Sequence, residues 1–225
     1  MRIFFIAFAV VSAAHITFII LRQETFRCIT KCFIIPLLLA AYTSAYITSG
    51  TEDMFLIPIF ALIMGWIGDV LLIRKDKKTF LLLGLTSFLI GHIFYIAVFI
   101  GILSLPGFYN AENIINIPSL LIFTPVSAGL AMIIFRLIKP TKEMRLPVIF
   151  YMIVLMGMSL VGFQVFLFNM GLAGLLILSG CFCFMVSDTI LAYYTFRKSR
   201  VTGSILVTSY YIMAQAKIII GLLLI

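Results

Sequence analysis

The sequence predicts an all-α fold, a polytopic transmembrane helical bundle of eight spans with both termini on the non-cytoplasmic side. Three observations carry this expectation. The chain of 225 residues is 64% hydrophobic and only 11% charged, where a soluble domain carries about 25% charged residues. Its apolar residues gather into runs long enough to cross a hydrocarbon core about 30 Å thick, at about 1.5 Å of rise per residue. Its basic residues fall in every second loop between those runs. At about 20 residues per span, eight crossings and their short loops use up the chain. Residues 1–225 are therefore expected to form a single transmembrane domain with no soluble portion.

The spans are expected at about 3–21, 32–49, 54–73, 79–102, 116–138, 146–167, 170–195 and 203–224. The first contains Ser12-Ala13-Ala14, small residues that could end a signal peptide. The apolar run continues past them through 16–21, so a retained span is expected. The second follows a loop carrying Arg22, Arg27 and Lys31. The third ends ahead of Arg74, Lys75, Lys77 and Lys78, where the fourth begins. The fifth ends at Arg136, and the loop to the sixth adds Lys139, Lys142 and Arg145. Between the sixth and seventh stand only Phe168-Asn169-Met170-Gly171, so a tight turn is required there. The seventh ends at Arg197, Lys198 and Arg200, ahead of the eighth. No low-complexity tract or repeat is visible.

All basic residues except Arg2 and Lys217 thus lie in the first, third, fifth and seventh loops. The second and fourth loops hold Glu52, Asp53 and Glu112 instead, and the sixth holds no charge. A missed or extra span would scatter basic residues over both sides. The positive-inside rule places the odd loops in the cytoplasm. It also accounts for the net charge of +8 without nucleic acid, which is not expected as a partner. Cys28, Cys32, Cys181 and Cys183 form no C-x-x-C pair, and no disulfide framework is expected.

Function must reside in residues that hydrocarbon penalises. A charge at the bilayer centre costs roughly 2.5–3.5 kcal/mol on insertion scales, and such residues usually face a protein interior or a wet cavity. Asp69, in Gly65-Trp66-Ile67-Gly68-Asp69, lies five residues before Arg74, about 7 Å inside the membrane end. Pairing with the basic loop at Arg74–Lys78 would be its bland explanation. Gly65 and Gly68 would let a neighbouring helix approach closely. Asp188 follows Ser187 and lies nine residues before Arg197, roughly 13 Å deep, beyond the reach of an interfacial explanation. A carboxylate buried purely for packing is its bland one. His92 and Tyr95 are three residues apart on the fourth span and share a face. A mid-span histidine also serves commonly as an interhelical hydrogen-bond donor. His15 has no polar companions and reads as structural. Thr208, Tyr211 and Gln215 make one polar face of the eighth span. Lys217 stands roughly opposite Gln215, as a buried counter-ion for an aspartate or, more commonly, snorkelling to the outer interface.

Several chemistries are excluded. Two histidines without H-x-x-x-H spacing do not suit a histidine-bound zinc hydrolase. There is no glycine-rich phosphate loop and no G-x-S-x-G elbow. Ser187 and Asp188 are adjacent on a helix, point about 100° apart and are no triad. No metal and no cofactor are expected.

Gly68-Asp69 with Leu71-Leu72, His92-x-x-Tyr95, Ser187-Asp188 and Tyr211-x-x-x-Gln215 together resemble the YhhN-like lysoplasmalogenase family of eight-span membrane proteins. Their order, spacing and membrane placement agree over nearly the whole chain, though each motif alone is short. The family often has a lysine directly before a proline opening the second span. Here Ile35 precedes Pro36, and the nearest lysine is Lys31. The resemblance implies hydrolysis of the vinyl ether bond of a lysophospholipid, giving a fatty aldehyde and glycerophosphoethanolamine or glycerophosphocholine. It makes Asp69 and Asp188 the catalytic pair and His92, Tyr95, Ser187, Tyr211 and Gln215 the residues that orient substrate and water. The deeper Asp188 is assigned the acid's role, Asp69 that of stabilising carboxylate and general base. Such a protein belongs in the inner membrane of a bacterium or the endoplasmic reticulum of a eukaryote.

Two other classes compete. Intramembrane carboxylates also serve as proton relays in transporters, and a lipid-binding protein would share the architecture. An intramembrane aspartyl protease also uses two aspartates. Its G-x-G-D motif, however, needs glycine where Trp66 stands, and its first aspartate follows a tyrosine that is absent here.

Overall fold

The computed structural model describes residues 1–49, 56–74, 77–105, 117–197 and 201–225. Every regular element among them is helical: α1 (Arg2–Ile20), α2 (Glu24–Ser49), α3 (Ile57–Leu71), α4 (Lys78–Leu103), α5 (Ile117–Ile138), α6 (Arg145–Phe168), α7 (Leu172–Arg197) and α8 (Val201–Leu223). Short 3-10 turns extend α3 over Leu72–Arg74 and precede α6 over Lys142–Met144. All eight are long and apolar enough to cross a membrane. Glu52, Asp53, Lys75, Glu112, Lys198 and Arg200 lie outside the described residues.

The expected spans match these helices closely except at one boundary. α2 begins at Glu24, not at residue 32. Glu24 stands in its first turn, where a carboxylate complements the exposed N–H groups, and it pairs with Arg27 one turn on. Arg27 and Lys31 are therefore helical residues, and the first loop shrinks to Leu21-Arg22-Gln23. That turn is a Schellman motif. The Gln23 N–H donates to Phe18 and the Arg22 N–H to Ile19, with Arg22 itself left-handed at φ 56°. Lys139, after α5, is left-handed in the same way at φ 49°. A cation at such a place faces the unsatisfied carbonyls of a helix end, so these two basic residues also close helices.

The chain divides into two compact units, Met1–Val98 and Phe99–Ile225, with the boundary inside α4. In the first unit α1 packs on α2, and α2 on α3. α3 and the first part of α4 meet through glycines. A Cβ on Gly91 would lie 3.2 Å from the Ala61 carbonyl, and one on Gly68 would lie 2.9 Å from the Phe88 ring. The Ser87 hydroxyl donates to the Met64 carbonyl at 2.6 Å. Residue numbers rise on one helix as they fall on the other, so the pair is antiparallel.

In the second unit α7 packs against both α6 and α8, and α5 lies against α6 and α7 with most of its surface exposed. The tight turn required between the sixth and seventh spans is present. The Asn169 side chain accepts from the Gly171 N–H at 3.1 Å, and any Cβ at Gly174 would collide with the Asn169 carbonyl. α7 and α8 interlock reciprocally. Ile218 fills the space over Gly180, and Ile177 that over Gly221. Lipid gives apolar side chains no reason to leave it for one another, so close backbone approach at small residues supplies the attraction by dispersion.

A Gly180 Cβ would sit 2.6 Å from Ile218 and 3.1 Å from the Ala214 carbonyl. Gly180→Leu is therefore expected to destabilise the protein by about 1–3 kcal/mol, the usual range for overpacking. A Cβ at Gly129 meets nothing within 4 Å, and Gly129→Leu is expected to leave stability unchanged. Thermal unfolding of the two variants in detergent checks the contrast.

Candidate functional site

Asp69 is set near the end of α3, in the first unit, and only 3% of it is exposed. Lys31 Nζ on α2 lies 3.3 Å from its Oδ1. The bland explanation named the loop at Arg74–Lys78; the described ion pair is with Lys31 on α2, and Arg74 lies over the Phe80 ring at 5.7 Å. The reason is geometric. With α2 starting at Glu24, Lys31 is a helical residue two turns in and not part of a loop, and its long stem carries the ammonium to Asp69, two residues before the end of α3. One residue beyond Lys31, the Cys32 carbonyl accepts from Trp66 Nε1 at 2.9 Å. The same α2–α3 seam therefore carries an ionic and a neutral bond.

His92 and Tyr95 are both buried on α4, at 3% and 1% exposure. The His92 Nδ1 lies 2.5 Å from the Phe88 carbonyl. A carbonyl only accepts, so that ring nitrogen carries the proton. The bond stays within α4, one turn back, and is not an interhelical bond. Phe88 also covers Gly68 with its ring, so the residue that holds His92 packs beside the neighbour of Asp69. Had Gly68 any side chain, that ring would have to move. His15, read as structural, has its Nδ1 2.8 Å from the Thr30 hydroxyl on α2.

In the second unit Asp188 points from α7 toward α6, where the Tyr151 hydroxyl donates to its Oδ2 at 2.6 Å. Ser187, one position earlier, points instead toward α8 and donates to the Val207 carbonyl at 3.0 Å. The two face different helices, as adjacent helical positions must. Gln215 Nε2 donates to the Tyr211 hydroxyl at 3.5 Å, a long bond along α8, and the Tyr211 ring meets Phe184 edge-on at 5.8 Å between centroids. Lys217 Nζ lies 3.8 Å from the Cys183 thiol, so its described partner is a thiol and not a carboxylate. Among the described residues no three histidine, cysteine or acidic side chains gather as a metal site would need.

Sequence reasoning missed two residues, Lys31 as the partner of Asp69 and Tyr151 as the partner of Asp188. Both had a signal in depth. Tyr151 lies six residues inside Arg145, and Asp188 nine inside Arg197, on helices that run in opposite directions from basic ends on one side.

Breaking a buried ion pair by removing one partner costs about 3–5 kcal/mol. The Lys31 side chain keeps 20% of its surface exposed, so Lys31→Met is expected to cost somewhat less, about 2 kcal/mol. The double variant Lys31→Met with Asp69→Asn leaves no lone charge and is expected to recover most of that loss. Thermal unfolding in lipid nanodiscs gives the comparison.

Neither the curated proteins nor the solved structures contain a match to this chain. The sequence model of the YhhN family matches residues 26–222. That span takes in α3 through α7 entire, with nearly all of α2 and α8, and every candidate residue described above. The chain belongs to the YhhN family.

Proposed function

We propose that this chain is a membrane-embedded hydrolase that cleaves the vinyl ether bond of a lysophospholipid of the lysoplasmalogen type. The products are a fatty aldehyde and the glycerophosphoethanolamine or glycerophosphocholine. Family membership and the chemistry of the two aspartates support the reading. The observation that carries it is the contrast between their partners: Asp69 is held by the cation of Lys31, Asp188 by the neutral hydroxyl of Tyr151.

Vinyl ether hydrolysis starts with protonation of the outer alkene carbon. The double-bond electrons form the new C–H bond, and the carbon attached to oxygen becomes an oxocarbenium ion. Water adds to that carbon and loses a proton. The hemiacetal then collapses, releasing the glyceryl oxygen as a hydroxyl and leaving the aldehyde. An acid and a carboxylate that faces the cation suffice, as around the oxocarbenium of glycoside hydrolysis. In this reading Asp188 delivers the proton, with Tyr151 fixing the orientation of its carboxyl. Asp69, paired with the Lys31 ammonium, stabilises the cation and accepts the proton from the attacking water. His92, Tyr95, Ser187, Tyr211 and Gln215 orient water and the glycerol hydroxyl. The route uses no metal or cofactor. The odd-numbered turns face the cytoplasm in this proposal, so their basic residues hold the phosphate and the hydrocarbon tail runs along the helices toward the bilayer centre.

The test is mass spectrometry of aldehyde release, with vinyl ether and ester lysolipids side by side. Asp69→Asn and Asp188→Asn are each expected to lower the rate by about a hundredfold or more, the range for loss of a general acid or base, while still inserting and purifying. Full activity in either variant overturns the two-carboxylate mechanism. Proton movement coupled to substrate in liposomes, with no product formed, would make the protein a carrier instead. Tyr151→Phe keeps the ring and removes the bond to Asp188; the rate is expected to fall about fivefold, equivalent to the roughly 1 kcal/mol of one hydrogen bond.

A further inference from the structure

α2 carries Pro36 in its interior. Proline has no backbone N–H, so the helical bond from residue 36 back to the carbonyl of residue 32 is not made. In hydrocarbon no water takes that donor's place. The Cys32 carbonyl accepts instead from Trp66 Nε1 on α3, at 2.9 Å. The Trp66 side chain is not core filling, because the residue is 39% exposed and a phenylalanine or leucine would cover the same apolar surface. What the indole adds is a donor that reaches a neighbouring helix at the place where proline vacates an acceptor.

The surroundings of this bond give it a purpose. Lys31 immediately precedes Cys32 on α2, and Asp69 follows Trp66 by three residues on α3, nearly one helical turn. Two bonds therefore join the same helices a turn apart, indole to carbonyl and ammonium to carboxylate. An ion pair on a long lysine stem tolerates rotation and sliding of the helices. A bond from a rigid indole to a fixed backbone carbonyl tolerates much less.

We propose that Trp66 is a positioning residue for Asp69: its bond to the carbonyl vacated by Pro36 locks α2 against α3 in the register that seats the Lys31 ammonium on the Asp69 carboxylate. The inference rests on the reading of Asp69 as a working carboxylate, and its test separates the two.

Trp66→Phe removes the donor and keeps an aromatic ring. Pro36→Ala gives the Cys32 carbonyl a donor within α2. The double variant thus has a satisfied carbonyl and still lacks the bond between helices. Trp66→Phe is expected to lower both the unfolding temperature and kcat, the latter about tenfold, with KM changed less than twofold. In the double variant the unfolding temperature returns while kcat stays low. Recovery of kcat together with stability would overturn the proposal, since Trp66 would then serve only to satisfy a carbonyl; so would undiminished kcat in Trp66→Phe. A third readout needs no substrate. The infrared band of the Asp69 carboxylate, identified as the band lost in Asp69→Asn, is expected to shift in Trp66→Phe and in the double variant alike. An unchanged band overturns the positioning role even in an active enzyme. A shifted band in a protein that releases no aldehyde upholds the positioning role and overturns only the proposed reaction.

Discussion

A polar group inside hydrocarbon has only other protein groups to bond with, and the arrangement of this chain follows from that constraint. Most of its polar demand is met within helices, whose ladders close on themselves. Among the described residues, a set of side chains also reaches across to carbonyls, carboxylates and hydroxyls of neighbouring helices, and these bonds join particular pairs. Lys31 and Trp66 bind α2 to α3. Ser87 binds α4 to α3. Tyr151 and Ser187 bind α7 to α6 and α8. Apolar packing cannot choose between rotations of a helix whose every face is oily, but these bonds can.

The glycines act at the same contacts by a different means. Gly91 and Gly68 bring α3 and α4 close beside His92 and Asp69, and Gly180 and Gly221 bring α7 and α8 close beside Tyr211 and Lys217. Bond strengths between transmembrane helices are modest, around 0.6 kcal/mol on average. Specificity must therefore come from several weak bonds acting on helices already pressed together. The described partners of the two aspartates, Lys31 and Tyr151, both stand on neighbouring helices.

Much of this was legible in the sequence. Eight apolar runs and the alternation of basic loops anticipated every helix, because crossing length and charge asymmetry are one-dimensional properties. The start of α2 was misjudged because Glu24, Arg27 and Lys31 lower the apolarity of a segment that is nonetheless helical. That error hid Lys31 in a supposed loop, where it was not weighed as a partner of Asp69. Tyr151 escaped for another reason. Sequence gives the depth of a residue in the membrane but not its direction about the helix axis, and hydrogen-bond partners depend on both. The spacing of His92 and Tyr95 did predict a shared face, since three residues on one helix fix direction as well as depth. It did not predict that the histidine would bond its own helix at Phe88. The expectation that Ser187 and Asp188 point apart held for the same reason of helical angle.

The reciprocal seam between α7 and α8 bears on how the chain enters the membrane. α8 is the least apolar of the spans at mean hydropathy 1.5, against 2.5 for α1, and it carries Gln215 and Lys217 in its second half. Alone, it is a poor candidate to partition into lipid. Its complement already exists on α7, which is synthesised first: a space at Gly180 for Ile218, the ring of Phe184 for Tyr211 and the thiol of Cys183 for Lys217. Partitioning as a hairpin would let α7 shield those groups at the moment of insertion. The last span then depends on its predecessor for delivery as well as for stability, and damage at Gly180 would show first as failed topology in the cell.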